Sequence, residues 1–279
     1  MIADLLKWTP THLCSGAIGW GARQRLPESI RPKVYTAFSN MVGVNLDEVE
    51  KPLETYHSLS DFFARKLKSD SRELAEGAFC SPCDGAWAEQ GELGENPIVA
   101  KGHGFTLETL LASKERASFF KGGTFATIYL APKDYHRVHA PLAGTLVAVR
   151  HVPGRLFPVR PDLIDHIDNV FSLNERVVFD FETPNGSYSL VMVGAFGVGN
   201  ISITCANLES RVFRANKHVS DVPVGEGNDI AVGDELGAFL LGSTVILCAS
   251  ERLVDWKPNL VQGEAIVLGQ SLGTGKDHR

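Results

Sequence analysis

The sequence predicts an α+β chain, with N-terminal helices followed by a mostly antiparallel β core. Three observations carry this reading. Apolar residues recur at helical spacing through the first 70 residues, β-branched and aromatic runs dominate from about residue 80, and Gly and Pro interrupt those runs at short intervals. The order of elements follows directly. Ile2, Leu5 and Leu6 share a face, then Leu13, Ala17 and Trp20, then Val34, Phe38, Met41 and Val42. Pro10 and the stretch from Pro27 to Pro32 separate these helices. Ser58-Leu59-Ser60-Asp61 opens another helix, with Ser60 or Asp61 as its cap, carrying Phe62, Phe63 and Leu67.

Strands are predicted at Thr124 to Leu130, Thr145 to Val152, Arg176 to Phe181, Tyr188 to Val193, Asn200 to Cys205 and Thr244 to Cys248. One helix interrupts them, from Thr106 to Lys114, with Leu107, Leu110 and Leu111 on one face. The chain thus divides into a helical region, 1–70, and a β-rich region, 71–279. The polar tail from Thr274 to Arg279 reads as frayed.

Composition narrows the function classes. At 279 residues the chain is long enough for one large domain or two small ones, and a net charge of −6 argues against a general nucleic-acid binder. A local basic patch on an anionic membrane stays compatible with that charge. Five cysteines, an odd number, do not form a disulfide framework and suit a reducing compartment. Asp4, Lys7 and Pro10 break up what a signal peptide would keep apolar. No run of about 18 apolar residues exists, so a lipid substrate would be met on the membrane surface rather than from within it. Short helices carrying Trp, Lys and Arg suit such a surface, with Ile2, Leu5, Leu6, Trp8, Leu13, Trp20, Lys7, Arg23 and Arg25 as the contact set. The competing reading packs these apolar faces on the main domain.

The chemistry centres on Leu241-Gly242-Ser243-Thr244, between two β-like stretches. A serine hydroxyl can attack the preceding carbonyl, and Gly242 has no Cβ to crowd that attack. Cleavage by this route turns the serine into a pyruvoyl ketone. By itself the tetrapeptide reads as an ordinary turn. Asp84-Gly85 also reads as a turn, and His136 and His139 as structural histidines. Cys80 and Cys83 have zinc-type spacing, and the two histidines would complete a Cys₂His₂ set. The set lacks a second Cys-x-x-Cys, and the bracket from Cys83 to His136 is long, so no metal is expected. A Gly-x-Ser-x-Gly elbow is absent because position 245 is Val. The glycines between Gly194 and Gly199 lack dinucleotide-motif order and read as tight strand packing or as backbone near a lipid headgroup. His139-Ala140-Pro141-Leu142-Ala143-Gly144-Thr145-Leu146 is similar to the hairpins of lipoyl- or biotinyl-carrier modules, but no lysine occupies the tip.

Several segments together resemble the bacterial phosphatidylserine decarboxylases over roughly residues 50 to 270. They are Ser81-Pro82-Cys83-Asp84-Gly85, Lys101-Gly102-His103-Gly104-Phe105-Thr106-Leu107, Asp134-Tyr135-His136-Arg137-Val138-His139-Ala140-Pro141, Val152-Pro153-Gly154-Arg155-Leu156-Phe157-Pro158-Val159, and Phe239-Leu240-Leu241-Gly242-Ser243-Thr244. The resemblance implies a decarboxylase, a lyase of phospholipid biosynthesis that makes phosphatidylethanolamine from phosphatidylserine. It implies a zymogen that cuts itself between Gly242 and Ser243 into chains 1–242 and 243–279. The cofactor would be a covalent pyruvoyl group from Ser243, acting as an electron sink through a Schiff base.

The resemblance also assigns His139 as the base for Ser243, with Asp84 orienting it, and places His136 near the substrate, handling a proton. It implies a peripheral protein on the cytoplasmic side of the cell membrane, bound to an anionic surface, and leaves a homodimer open. Asn200 and Val232-Gly233 depart from the family pattern at positions tied to the lipid headgroup. The alternatives are a pyruvoyl-dependent decarboxylase of another amine, or a non-catalytic carrier-like β module.

Overall fold

The computed structural model describes residues 11–94, 98–100, 103–159, 167, 169–195, 201–205, 210–211, 218–240 and 243–275. Readings that fall on Ile2, Leu5, Leu6, Lys7, Trp8, Lys101, Gly102, the 196–200 segment, Leu241 and Gly242 lie outside these residues.

Helices α1 (Thr11–Ala22), α2 (Arg31–Val42) and α3 (Leu59–Phe63) come first. Pro32 starts α2, where a missing N–H costs nothing, and Gly43 ends it at φ 90°. The buried line of α2 is Arg31, Tyr35 and Ser39, with Val34, Phe38 and Val42 beside it, whereas Met41 is 77% exposed. Arg31 is buried because Leu26 and Glu54 carbonyls take its guanidinium, which rotates the helix away from the purely apolar stripe. The cap of α3 is Ser58, whose hydroxyl accepts Asp61 N at 3.1 Å, in place of Ser60 or Asp61.

Strands β1 (Ala78–Cys80) and β2 (Gly85–Leu93) follow, then the hairpin β3 (Ile98–Ala100) and β4 (His103–Phe105). The single helix expected at 106–114 is two, α4 (Leu107–Leu111) and α5 (Lys114–Phe119). Ala112 turns left-handed at φ 49°, and Ser113 caps the second helix. Strands β5 (Gly123–Leu130), β6 (Arg137–His139) and β7 (Gly144–Val152) precede the short helix α6 (Val170–Leu173). Next come β8 (Arg176–Thr183), β9 (Gly186–Gly194), β10 (Ile201–Ile203), β11 (Ser210–Arg211), β12 (Ser220–Val222), β13 (Asp229–Ile230) and β14 (Glu235–Phe239). The chain closes with β15 (Ser243–Ala249), β16 (Asp255–Trp256), β17 (Ala265–Ile266) and β18 (Ser271–Thr274). The strand expected over Asn200 to Cys205 is thus shorter, Ile201–Ile203.

The main sheet runs β12-β7-β8-β9-β15-β5-β2-β17, with β13 also paired to β7, and every pairing is antiparallel. A second sheet has the order β11-β10-β14-β6, and a third β1-β18-β16. Strand β15 sits near the middle of the main sheet and is buried along its whole length. Its alternate residues serve two cores. Val245, Leu247 and Ala249 pack with Val138 and Phe239 of the second sheet, while Ile246 and Cys248 pack with Leu110 and Leu111 of α4. A third cluster, Tyr35, Val44, Val49, Tyr56 and Phe62, knits α2 and α3 together.

Candidate functional site

The period of two along β15 places the Ser243 side chain on the face of Val245 and Leu247, toward the second sheet. Ser243 is the first residue of β15, paired with Leu130 on one side and Gly194 on the other. Phe239 ends β14, and its N–H is held by the His136 carbonyl at 2.9 Å. Strand β14 therefore ends beside His136, and β15 opens with Ser243 four residues later. Ser243 is fully buried, and its Oγ has no hydrogen-bond partner among the described residues.

His136 is also fully buried. Its Nδ1 lies 2.8 Å from the Asp134 carbonyl, which can only accept, so the proton sits on Nδ1. Nε2 is left as a bare acceptor with no partner among the described residues. Burial lowers the pKa to about 3, so the ring is neutral at physiological pH. The Phe63 ring at the end of α3 lies 4.1 Å from the imidazole.

His139 is held by a similar logic. Nδ1 donates to the Gly233 carbonyl at 2.7 Å, leaving Nε2 to accept the Tyr135 hydroxyl at 3.1 Å. The two rings stack with centroids 5.7 Å apart. Burial lowers the His139 pKa, while the Gly233 bond and the charges of Glu235 and Asp84 push the other way. At the Val232-Gly233 departure the chain thus contributes a backbone carbonyl to the histidine.

Asp84 lies in the turn between β1 and β2. Arg72 Nε and Nη2 grip its two oxygens at 2.9 and 2.5 Å, and Leu268 N donates to Oδ1 at 2.8 Å. Arg72 also reaches Glu48 at 2.9 Å. The residue after Asp84 must be glycine, because a Cβ at Gly85 would lie 2.6 Å from the Tyr129 carbonyl. Asp84 and His139 come onto adjoining backbone, with His139 N donating to the Pro82 carbonyl at 2.8 Å. Among the described residues no direct hydrogen bond joins their side chains. Cys80 and Cys83 are buried free thiols, and burial raises both pKa values. Among the described residues no three metal-binding side chains gather.

Four further residues shape the site. Tyr135 sits inside a quoted motif, yet its spacing from His139 gives no role by itself. Phe63, Arg65 and Arg72 carry no local signal, since their partners are 12 to 73 positions away.

A strand serine closed in a β core, two neutral histidines and a clamped carboxylate have the residue types of an enzyme site. Comparison with known proteins gives the family. Residues 59–274 match the family described as phosphatidylserine decarboxylase. A phosphatidylserine decarboxylase proenzyme of Anaeromyxobacter sp. (strain K) is 38% identical over 98% of this chain and 98% of its own length. Proenzymes of the same name from Ectopseudomonas mendocina and Bordetella bronchiseptica are 38% and 43% identical, over 96% and 88% of this chain and 95% and 85% of theirs. The chain belongs to the phosphatidylserine decarboxylase family.

Proposed function

We propose that this chain decarboxylates phosphatidylserine to phosphatidylethanolamine with a pyruvoyl group made from its own Ser243. The observation that carries the reading is a pair of orphaned groups. Ser243 Oγ and His136 Nε2 are both fully buried and, among the described residues, unpartnered, on adjoining chain segments. A buried hydroxyl without a partner costs stability. Replacing it with a ketone removes that orphan donor, so the position fits the group. Once formed, the ketone supplies the electron sink for the carbon that loses carbon dioxide.

The residues of the chain do the rest. His139 Nε2 is the basic nitrogen, since Nδ1 already donates, and it takes the Ser243 hydroxyl proton as Oγ attacks the Gly242 carbonyl. The amide becomes an ester, and β-elimination releases Gly242 as a new carboxyl terminus. Hydrolysis with loss of ammonia leaves the ketone on residues 243–279. Asp84, fixed by Arg72, raises the basicity of His139 through its charge. His136 Nε2 moves a proton for the substrate.

The helical region up to about residue 70 meets the membrane, on the cytoplasmic side, and residues 71–279 carry the chemistry. Ile18 and Trp20 of α1 are 46% and 65% exposed, which supports that contact. Among the described residues no helix is long and apolar enough to cross a membrane.

Denaturing mass spectrometry of the active enzyme tests the proposal. Two chains are expected, 1–242 and 243–279, the second without a free amine on its first residue. Ser243→Ala should stay uncut and inactive. Asp84→Asn or His139→Ala should slow cutting by ~10²–10⁴-fold, the usual worth of general-base help. His136→Ala should be cut yet turn over poorly. A single intact chain from active protein would overturn the reading.

A further inference from the structure

Helix α3 ends against the segment that carries the two histidines, and three consecutive residues make the join. Phe63 packs on the His136 ring. The Ala64 carbonyl accepts Arg137 Nε at 2.9 Å. Arg65 Nη2 donates to the Lys133 and Asp134 carbonyls at 2.9 and 3.1 Å. The Asp134 carbonyl is the same one that holds His136 Nδ1. A single oxygen therefore sets the Arg65 guanidinium beside the His136 imidazole.

Arg65 is 3% exposed, and its Nε and Nη1 have no hydrogen-bond partner among the described residues. Among the described residues it forms no ion pair. A guanidinium has five N–H donors and stays charged, so donors left bare in the interior are costly. Such a group persists where a ligand completes it.

We propose that Arg65 is an anion-binding residue of the active site, and that one of its unpartnered N–H groups, on Nε or Nη1, donates to a phosphodiester oxygen of the substrate headgroup. The inference rests on the reading of His136 and Ser243 as the reaction centre. Nη2 is spent on the two carbonyls, so the guanidinium offers the phosphate a single charge-assisted bond and its fixed positive charge. In phosphatidylserine the phosphorus is three bonds from the carbon that loses carbon dioxide, so its subsite must adjoin the groups that act on that carbon.

The substrate also has a carboxylate, but that charge disappears as carbon dioxide leaves. A cation fixed on it would stabilise the starting state more than the transition state and slow the reaction. The phosphodiester keeps its charge throughout, so binding it costs nothing in rate. Arg65 is closed off in the uncut chain, but so are His136 and Ser243, and substrate entry must open all three together.

The test uses full-length Arg65→Gln and Arg65→Lys with short-chain phosphatidylserine. Self-cleavage, read by denaturing mass spectrometry, reports folding. For Arg65→Gln, KM should rise at least about tenfold and kcat should fall by less, with partial recovery in Arg65→Lys. Glycerophosphoethanolamine, a phosphodiester without a carboxylate, should inhibit the parent enzyme and lose most of that inhibition in Arg65→Gln. O-methylserine, a carboxylate without phosphate, should inhibit both alike. An unchanged KM, or glycerophosphoethanolamine inhibition unaffected by the substitution, overturns the proposal. Loss of O-methylserine inhibition instead would place the guanidinium on the carboxylate, and also overturns it. So does failure of both variants to self-cleave, which would assign Arg65 to the fold. The reading of Ser243 itself fails only if the parent chain remains uncut.

Discussion

Cutting before Ser243 severs the chain at the head of a central strand, and the two products should stay together. The perturbation is the cut itself. The fragment 243–279 keeps β15 paired over seven residues with both β5 and β9, while β17 pairs with β2 and β18 with β1. Val245, Ile246, Leu247, Val254, Ile266 and Leu272 are each no more than 1% exposed. At about 1.5–3 kcal/mol per buried aliphatic side chain, these six alone contribute roughly 9–18 kcal/mol of apolar burial. The strand hydrogen bonds add ~0.5–1.5 kcal/mol each. Association costs about 4–15 kcal/mol, so the complex should hold at any working concentration. Size-exclusion chromatography in native buffer should give one peak containing both fragments, and urea should separate them only as the fold is lost. Elution of free 243–279 from folded 1–242 in native buffer would refute this account of β15.

Other outcomes follow from the same geometry. Burial lowers His136 from 6.5 to about 3, so the unfolded chain takes up its proton first as pH falls; stability is complete above about pH 6.5 and declines toward pH 3. At ~1.36 kcal/mol per unit the loss approaches about 4–5 kcal/mol, and His136→Gln should flatten that stretch of the urea-midpoint profile. Arg72→Gln removes two of the three donors on Asp84 and should slow self-cleavage by ~10²-fold, with Arg72→Lys intermediate; unchanged processing would make Arg72 a surface-type ion pair. Gly85→Ala drives a Cβ against the Tyr129 carbonyl and should cost about 1–3 kcal/mol in thermal or urea denaturation. Deleting residues 1–25 should weaken binding to phosphatidylserine vesicles, at about 1 kcal/mol for each of Lys7, Arg23 and Arg25, while leaving cleavage intact. Equal vesicle binding by the truncated chain would place the membrane contact elsewhere.

The strands of the main sheet were legible because β-branched and aromatic runs fill both of its faces; 124–130, 145–152, 176–181 and 188–193 all fall within observed strands. Errors arose where a polar residue had an unseen partner. Arg31 displaced the apolar stripe of α2, and Ser58 took the cap because its hydroxyl reaches Asp61 N. Asp84, His136, His139 and Ser243 stood out through motif residues in order along the chain. Arg65 and Arg72 did not, because an arginine in a charged stretch looks solvated until the fold brings a carbonyl or carboxylate to it. The same applies to Phe63, whose helical spacing announces a core residue but not the imidazole it touches.

The C-terminal segment bears on how the protein is made. Leu268 N is one of the three donors on Asp84, and Gly269 and Gln270 exchange backbone bonds with Ala75 and Ser81 just upstream of it. Leu268, Gly269 and Gln270 lie downstream of Ser243. A ribosome that has synthesised the serine, both histidines and the aspartate has still not supplied the amide that completes the carboxylate's coordination. Asp84 is fully fixed only after Leu268 has been made. For the proposed self-cleavage, the order of synthesis thus withholds the finished carboxylate until β15, the strand that would hold the small fragment, has already been made.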